Sequence, residues 1–64
     1  MNSPPISCEI NGRRYRFINV TFDSRFNTYY GYCPKLKKHG TVHSHNKIIA
    51  FDDGTFQKCT RIFT

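Results

Sequence analysis

Acidic residues are scarce in this 64-residue chain. Four Asp and Glu stand against ten Lys and Arg, for a formal charge of +6 at neutral pH and an isoelectric point near 9.6. That imbalance favours polyanions or acidic protein faces as partners, drawn by a field that fades with salt. Long apolar stretches are missing too. No run reaches the ~18 residues that a membrane-spanning helix needs, so no membrane partner is expected. Residues 1–5 supply neither a basic n-region nor an apolar h-region, and no cleavable leader is expected there.

Cysteine is sparse and odd in number: Cys8, Cys33 and Cys59. A secreted scaffold of this size normally carries an even, denser set, so a reducing, cytoplasmic setting is expected and a Cys8–Cys59 disulfide is not. The glycosylation-type triplet Asn19-Val20-Thr21 is read as coincidence, since it falls in an expected strand and no secretion signal is expected. A Gly-rich phosphate loop and a nucleophile signature are both absent, and a chain this short cannot build a deep substrate cavity beside its core. A Cys, a His and Asp52 or Asp53 can be written as a nucleophile, base and orienter. Asp52-Asp53-Gly54 is better explained as turn chemistry, and a non-enzymatic protein is expected.

Helical periodicity is lacking as well: no window of eleven or more residues repeats at 3.6. The pattern is one of short alternating runs separated by turns. Residues 1–5 read as a polar, Pro-containing lead-in, and residues 6–64 as one small β domain. The firmest local signal is Asn11-Gly12, which suits a two-residue hairpin turn with positive φ at both positions. It sets Ile10 opposite Arg13, Cys8 opposite Tyr15 and Ile6 opposite Phe17. Ile6, Cys8, Ile10, Tyr15 and Phe17 then share one face, while Glu9, Arg14 and Arg16 take the other.

The next strand changes phase, since Tyr15 and Phe17 alternate out of step with Ile18, Val20 and Phe22. A β-bulge or bend near Phe17-Ile18 reconciles the two halves. Gly31 inside the aromatic run Tyr29 to Cys33 suggests a bulge or a close backbone approach. A basic loop over 34–40, a short strand from Thr41 to His43 and a last hairpin follow. That hairpin joins Lys47–Phe51 to Thr55–Phe63 through Asp53-Gly54, and its two-residue register pairs Phe51 with Phe56. The expected fold is all-β: a small, strongly curled antiparallel sheet or partly open barrel, SH3-like or OB-like, of five or six short strands. The expected core includes Phe17, Phe22, Phe51, Phe56 and Phe63 with Ile10, Ile18, Val20, Ile48, Ile49 and Ile62.

What the chain does have is rings threaded among cations. Six Phe and four Tyr accompany the ten basic residues, notably in Arg13-Arg14-Tyr15-Arg16-Phe17 and in Tyr29-Tyr30-Gly31-Tyr32-Cys33-Pro34-Lys35-Leu36-Lys37-Lys38. Single-stranded nucleic acid is held by such a mixture, because cations take phosphates and ring faces take any base. Arg14, Arg16, Lys35, Lys37 and Lys38 are the candidate phosphate contacts, and Tyr29, Tyr30 and Tyr32 the candidate stacking rings. RNA or single-stranded DNA is favoured over a duplex groove, since no helix is available to enter one. The same Tyr and Arg surface, or a strand edge, equally suits an acidic partner protein, and so short a chain could complete its core as a homodimer.

Two further patterns involve histidine. Cys33, His39, His43 and Cys59 have the ligand types of a zinc site, without a Cys-x2-Cys pair or any standard finger spacing; no cofactor is expected, zinc being the one candidate. His39, His43 and His45 also lie beside Lys37 and Lys38, so protonation near pH 6 would enlarge the positive patch.

Overall fold

The computed structural model describes residues 6–64, and the lead-in over residues 1–5 lies outside them. Every regular element among the described residues is a strand. They are β1 (Ile6–Ile10), β2 (Arg13–Asp23), β3 (Thr28–Cys33), β4 (Lys38–His43), β5 (Ile48–Phe51), β6 (Phe56–Lys58) and β7 (Arg61–Phe63). All pairings are antiparallel, in the order β6-β5-β4-β3-β2-β1-β7.

β6 and β7 stand at opposite ends of that order although only Cys59 and Thr60 separate them in sequence. Their amides bond in opposite directions. Cys59 N–H donates to the Lys47 carbonyl at 2.7 Å, and Thr60 N–H to the Glu9 carbonyl at 2.7 Å. One continuous run therefore fastens both ends of the curled sheet, which leaves little free edge for another chain to pair with. The final strand expected from the sequence is thus present but broken in two at this corner.

The first hairpin adopts the expected register from Ile6↔Phe17 to Ile10↔Arg13, with Asn11 and Gly12 at φ 51° and 79°. The turns 24–27, 34–37 and 44–47 recur every ten residues. Each ends on a residue in the left-handed region, namely Asn27, Lys37 and Lys47 at φ 54°, 56° and 55°. Lys47 N–H closes its turn onto the His43 carbonyl at 2.8 Å. Only the first of these turns carries the Asn that such a φ favours, so the repeat is faint in sequence.

The bend in β2 falls slightly later than Phe17-Ile18. Ile18 pairs with Tyr32 and Thr21 with Tyr30, so Asn19 and Val20 together face the single residue Gly31. Asn19 takes φ 53°, and the inward set passes from Phe17 to Val20. Ile18 and Phe22, expected inside, are consequently exposed by 37% and 42%. Gly31 is required at this point, because a Cβ there would sit 2.8 Å from Val20 Cγ2 and 3.0 Å from the Ile18 carbonyl oxygen. Its ladder partner Gly40 is equally confined, with 2.9 Å to the Phe51 ring.

The β5–β6 turn departs from expectation by one residue. Phe51 N–H donates to the Thr55 carbonyl at 2.9 Å and Gly54 N–H to the Phe51 carbonyl at 3.0 Å, so the loop holds Asp52, Asp53 and Gly54, the last at φ 91°. Phe56 then pairs with Ala50 rather than Phe51. A slip of one residue moves a side chain to the other face. Phe56 is accordingly 74% exposed while Phe51 stays buried.

The interior is filled by Ile6, Cys8, Ile10, Phe17, Val20, Cys33, Val42, Ile49, Phe51 and Cys59, with Tyr15, Tyr29, Leu36 and Ile62 packed against them. Ile48, Ile62 and Phe63, also expected inside, are half-buried. Gly31→Ala is expected to destabilise the protein by about 1–3 kcal/mol through overpacking against Val20. In a domain of this size thermal melting should fall by roughly 4–8 °C per kcal/mol, and an unchanged midpoint would refute the close approach.

Candidate functional site

Ladder register sorts the candidate residues by face. On the outer side of β7, β1 and the first half of β2 run two rows, Phe63–Ser7–Arg16 and Arg61–Glu9–Arg14. Two positions beyond Arg16 on the same side lies Ile18, whose partner is Tyr32, and Tyr32 in turn pairs with His39. The next outer row is Thr21–Tyr30–Thr41–Ala50–Phe56. A single outer surface thus passes from three arginines at one side to a group of rings at the other.

The rings cluster. His39 stacks on Tyr30 with centroids 6.1 Å apart and tilts against Tyr32 at 4.8 Å. The Tyr30 hydroxyl donates to Asp52 Oδ2 at 2.5 Å, which fixes the ring and raises the phenol's pKa, since the carboxylate stabilises its protonated form. Tyr29 behaves differently from its neighbours. Its position pairs with Val42, it packs on the core and its ring meets Phe22 at 4.8 Å, so it is not offered to the outer face as its candidate role requires.

The cations divide as well. Arg14 is held twice: its Nε donates to Ser7 Oγ at 3.0 Å, and its guanidinium lies 4.0 Å from the Phe63 ring centroid. Arg61 approaches the same ring at 5.6 Å. Arg14, Arg16, Ser7 and Thr64, together with the apolar side chains of Ile6, Phe17 and Phe63, line an open groove of about 510 Å³. Lys35, in the β3–β4 turn, reaches to 5.4 Å from the Tyr15 ring, which sets its ammonium alongside the first half of β2. Lys38 is engaged elsewhere, 3.0 Å from Asp53 Oδ2 and 4.9 Å from the Phe51 ring.

Asp53 organises its own turn. Its Oδ1 accepts from the Thr55 hydroxyl at 2.6 Å and the Thr55 amide at 3.0 Å. The Thr55 hydroxyl, its amide and then Lys38 lower the carboxyl from an ordinary 3.8 to about 2. This pair ties the start of β4 to the β5–β6 turn, so Lys38 serves the fold.

The possible zinc ligands do not converge. Cys33 and Cys59 are buried in the core, whereas His39 stacks on the outer face and His43 lies on that face opposite Thr28, at the far end of β4. The buried thiols instead gather with one another. Burial foremost, with the neighbouring Cys59 and Cys33 adding, pushes the Cys8 thiol well above its ordinary value, and burial raises that of Cys59. Among the described residues no group of three or more His, Cys, Asp or Glu is disposed to hold a metal ion. His45 lies in the β4–β5 turn, its Nε2 3.0 Å from the Asn27 side-chain amide.

No family model, curated protein or solved structure matches the chain. The arrangement of its own residues is therefore the basis for reading its function. Phe63 and Arg61 complete the basic side although sequence reasoning gave them no binding role. The signal for them, an Arg-x-Phe alternation, becomes legible only once β7 is known to pair with β1.

Asp53→Asn should lower the thermal midpoint near neutral pH. The folded carboxyl titrates below its ordinary value, so its stabilisation is complete above about pH 3.8 and is lost as pH falls toward about 2. The midpoints of wild type and variant should converge over that interval, and a constant gap across it would refute the assignment.

Proposed function

We propose that the protein is a non-enzymatic module that binds single-stranded nucleic acid, RNA in particular, along the outer face of its sheet. The observation that carries this reading is the continuity of cations and rings, from Arg14 and Arg16 through Ile18 to Tyr32, His39 and Tyr30. A strand laid on this surface would keep phosphates near Arg16, Lys35 and Lys37 while its bases stack on Tyr32 and His39. Phosphate contact supplies affinity that depends on salt, and stacking tolerates any base. The reading sets the protein in the cytoplasm, in keeping with three unpaired thiols.

Phe26 and Phe56, exposed by 69% and 74%, favour a second reading in which an acidic protein docks on exposed rings. Such a partner would depend steeply on one or two rings or arginines rather than on summed charge.

Fluorescence anisotropy against labelled single-stranded RNA, single-stranded DNA and duplex DNA, over a salt series, separates the two. Affinity for the single strands should fall linearly on a log-log plot. Replacing Lys35 and Lys37 by Gln should flatten that slope by about 0.7 per cation removed. Tyr32→Ala should cost about 1–3 kcal/mol with the slope unchanged. No binding at low salt would discard the nucleic-acid reading in favour of the protein partner.

A further inference from the structure

The groove between β1, β2 and β7 has a composition that a general phosphate-tracking surface does not require. Its polar side carries two guanidiniums and the Ser7 hydroxyl, and its apolar side is Ile6, Phe17 and Phe63. Ile6 and Phe17 are ladder partners and members of the core, only 2% and 4% exposed, so they close the groove from beneath and the half-buried Phe63 ring is the apolar surface it offers. Arg14 is held in place through Nε and by the Phe63 ring, while its terminal nitrogens make no hydrogen bond among the described residues. Arg16 is exposed and carries no ion pair there either. Glu9, opposite Arg14 in the ladder, pairs with neither, and residues 1–5 contain no acid.

A bare inorganic anion would leave the Phe63 ring unused, and a neutral apolar ligand would desolvate two guanidiniums without compensation. A flat aromatic body joined to a phosphate satisfies both sides, and about 510 Å³ lies in the range of small-ligand sites. We infer that this groove is a pocket for one nucleotide. Its phosphate lies between the Arg14 and Arg16 guanidiniums, and its base rests against the Phe63 ring. The choice of a nucleotide rests on the nucleic-acid reading of the outer face, and it adds a defined subsite at the basic side of that face. One chemistry covers two sources, a free mononucleotide and one nucleotide of a strand.

The test is an amide NMR titration of the full chain with adenosine 5′-monophosphate, with adenosine and inorganic phosphate titrated separately, and with a short single-stranded oligonucleotide. The mononucleotide should shift Ile6, Ser7, Arg16 and Phe63, and bind about tenfold or more tightly than adenosine or phosphate alone. Arg16→Gln should weaken it by a similar factor. Arg16 is exposed and unpaired, so the variant should keep the wild-type spectrum elsewhere; Glu9→Gln, which removes the nearby negative charge, should strengthen binding. Oligonucleotide binding without groove shifts from the mononucleotide would overturn the pocket and leave the outer-face reading standing. Mononucleotide binding in the groove with no oligonucleotide affinity would support the pocket, with a free nucleotide as its source. Groove shifts that adenosine reproduces in full, or that survive Arg16→Gln undiminished, would overturn the phosphate assignment.

Discussion

The fold depends on a place where side chains are forbidden. At Asn19 and Val20 the second strand spends two residues against a single glycine, and Val20 occupies the space that a Cβ on Gly31 would need. The extra residue lets β2 change partners, pairing with β1 through Phe17 and with β3 from Ile18 onward. Gly40, directly across from Gly31, repeats the arrangement with Phe51 over it. Two bare positions side by side allow the sheet to fold in on Val20 and Phe51. A flat meander could not bring Thr60 to Glu9 and Cys59 to Lys47 in consecutive residues.

Closure has a consequence for where chemistry can reside. A domain of this length buries only roughly 60% of its unfolded surface, and here the interior is taken up by short aliphatics, two phenylalanines and three thiols. Among the described residues no buried side-chain nitrogen or oxygen lacks a hydrogen-bond partner. The proposed binding accordingly uses the outer side of the strands. That side inherits its order from the ladder register, which is why Arg16, Ile18, Tyr32 and His39 come together although they are far apart in sequence.

Legibility in the sequence tracked how local each determinant was. Asn11-Gly12 fixed a complete register because a two-residue turn of that type admits one pairing, and the phase change between Phe17 and Val20 announced a bulge within three residues of its true place. Asp52-Asp53-Gly54 was misread by one residue, since Asp-Gly serves two-residue and three-residue turns alike. That single slip turned Phe56 outward and removed the expected Phe51–Phe56 pair. The partition of Cys33 inward and His39 outward was beyond reach for a related reason, because it needs the pairing of Tyr32 with His39 across a turn whose αL residue is a lysine. The triplet at Asn19 has a conformational reason to exist, since Asn adopts positive φ at lower cost than most residues.

The four acids explain which cations remain available. Asp53 takes Lys38, Asp23 takes Arg25, and Asp52 takes the hydroxyl of Tyr30; all three stand at strand ends or turns of the β2–β6 part. Around β7, β1 and the first half of β2 Glu9 is the one acid beside Arg14, Arg16 and Arg61, and it forms no ion pair among the described residues. The positive field is thus concentrated where the acids are not, on the side that also carries the groove. Within it Arg14 has already given up much of its rotamer freedom to Ser7 and Phe63, so a ligand need not supply that ordering free energy again. Arg16 keeps its freedom and its charge. A fixed guanidinium beside a free one can set the geometry of an incoming phosphate with the first and adjust to it with the second.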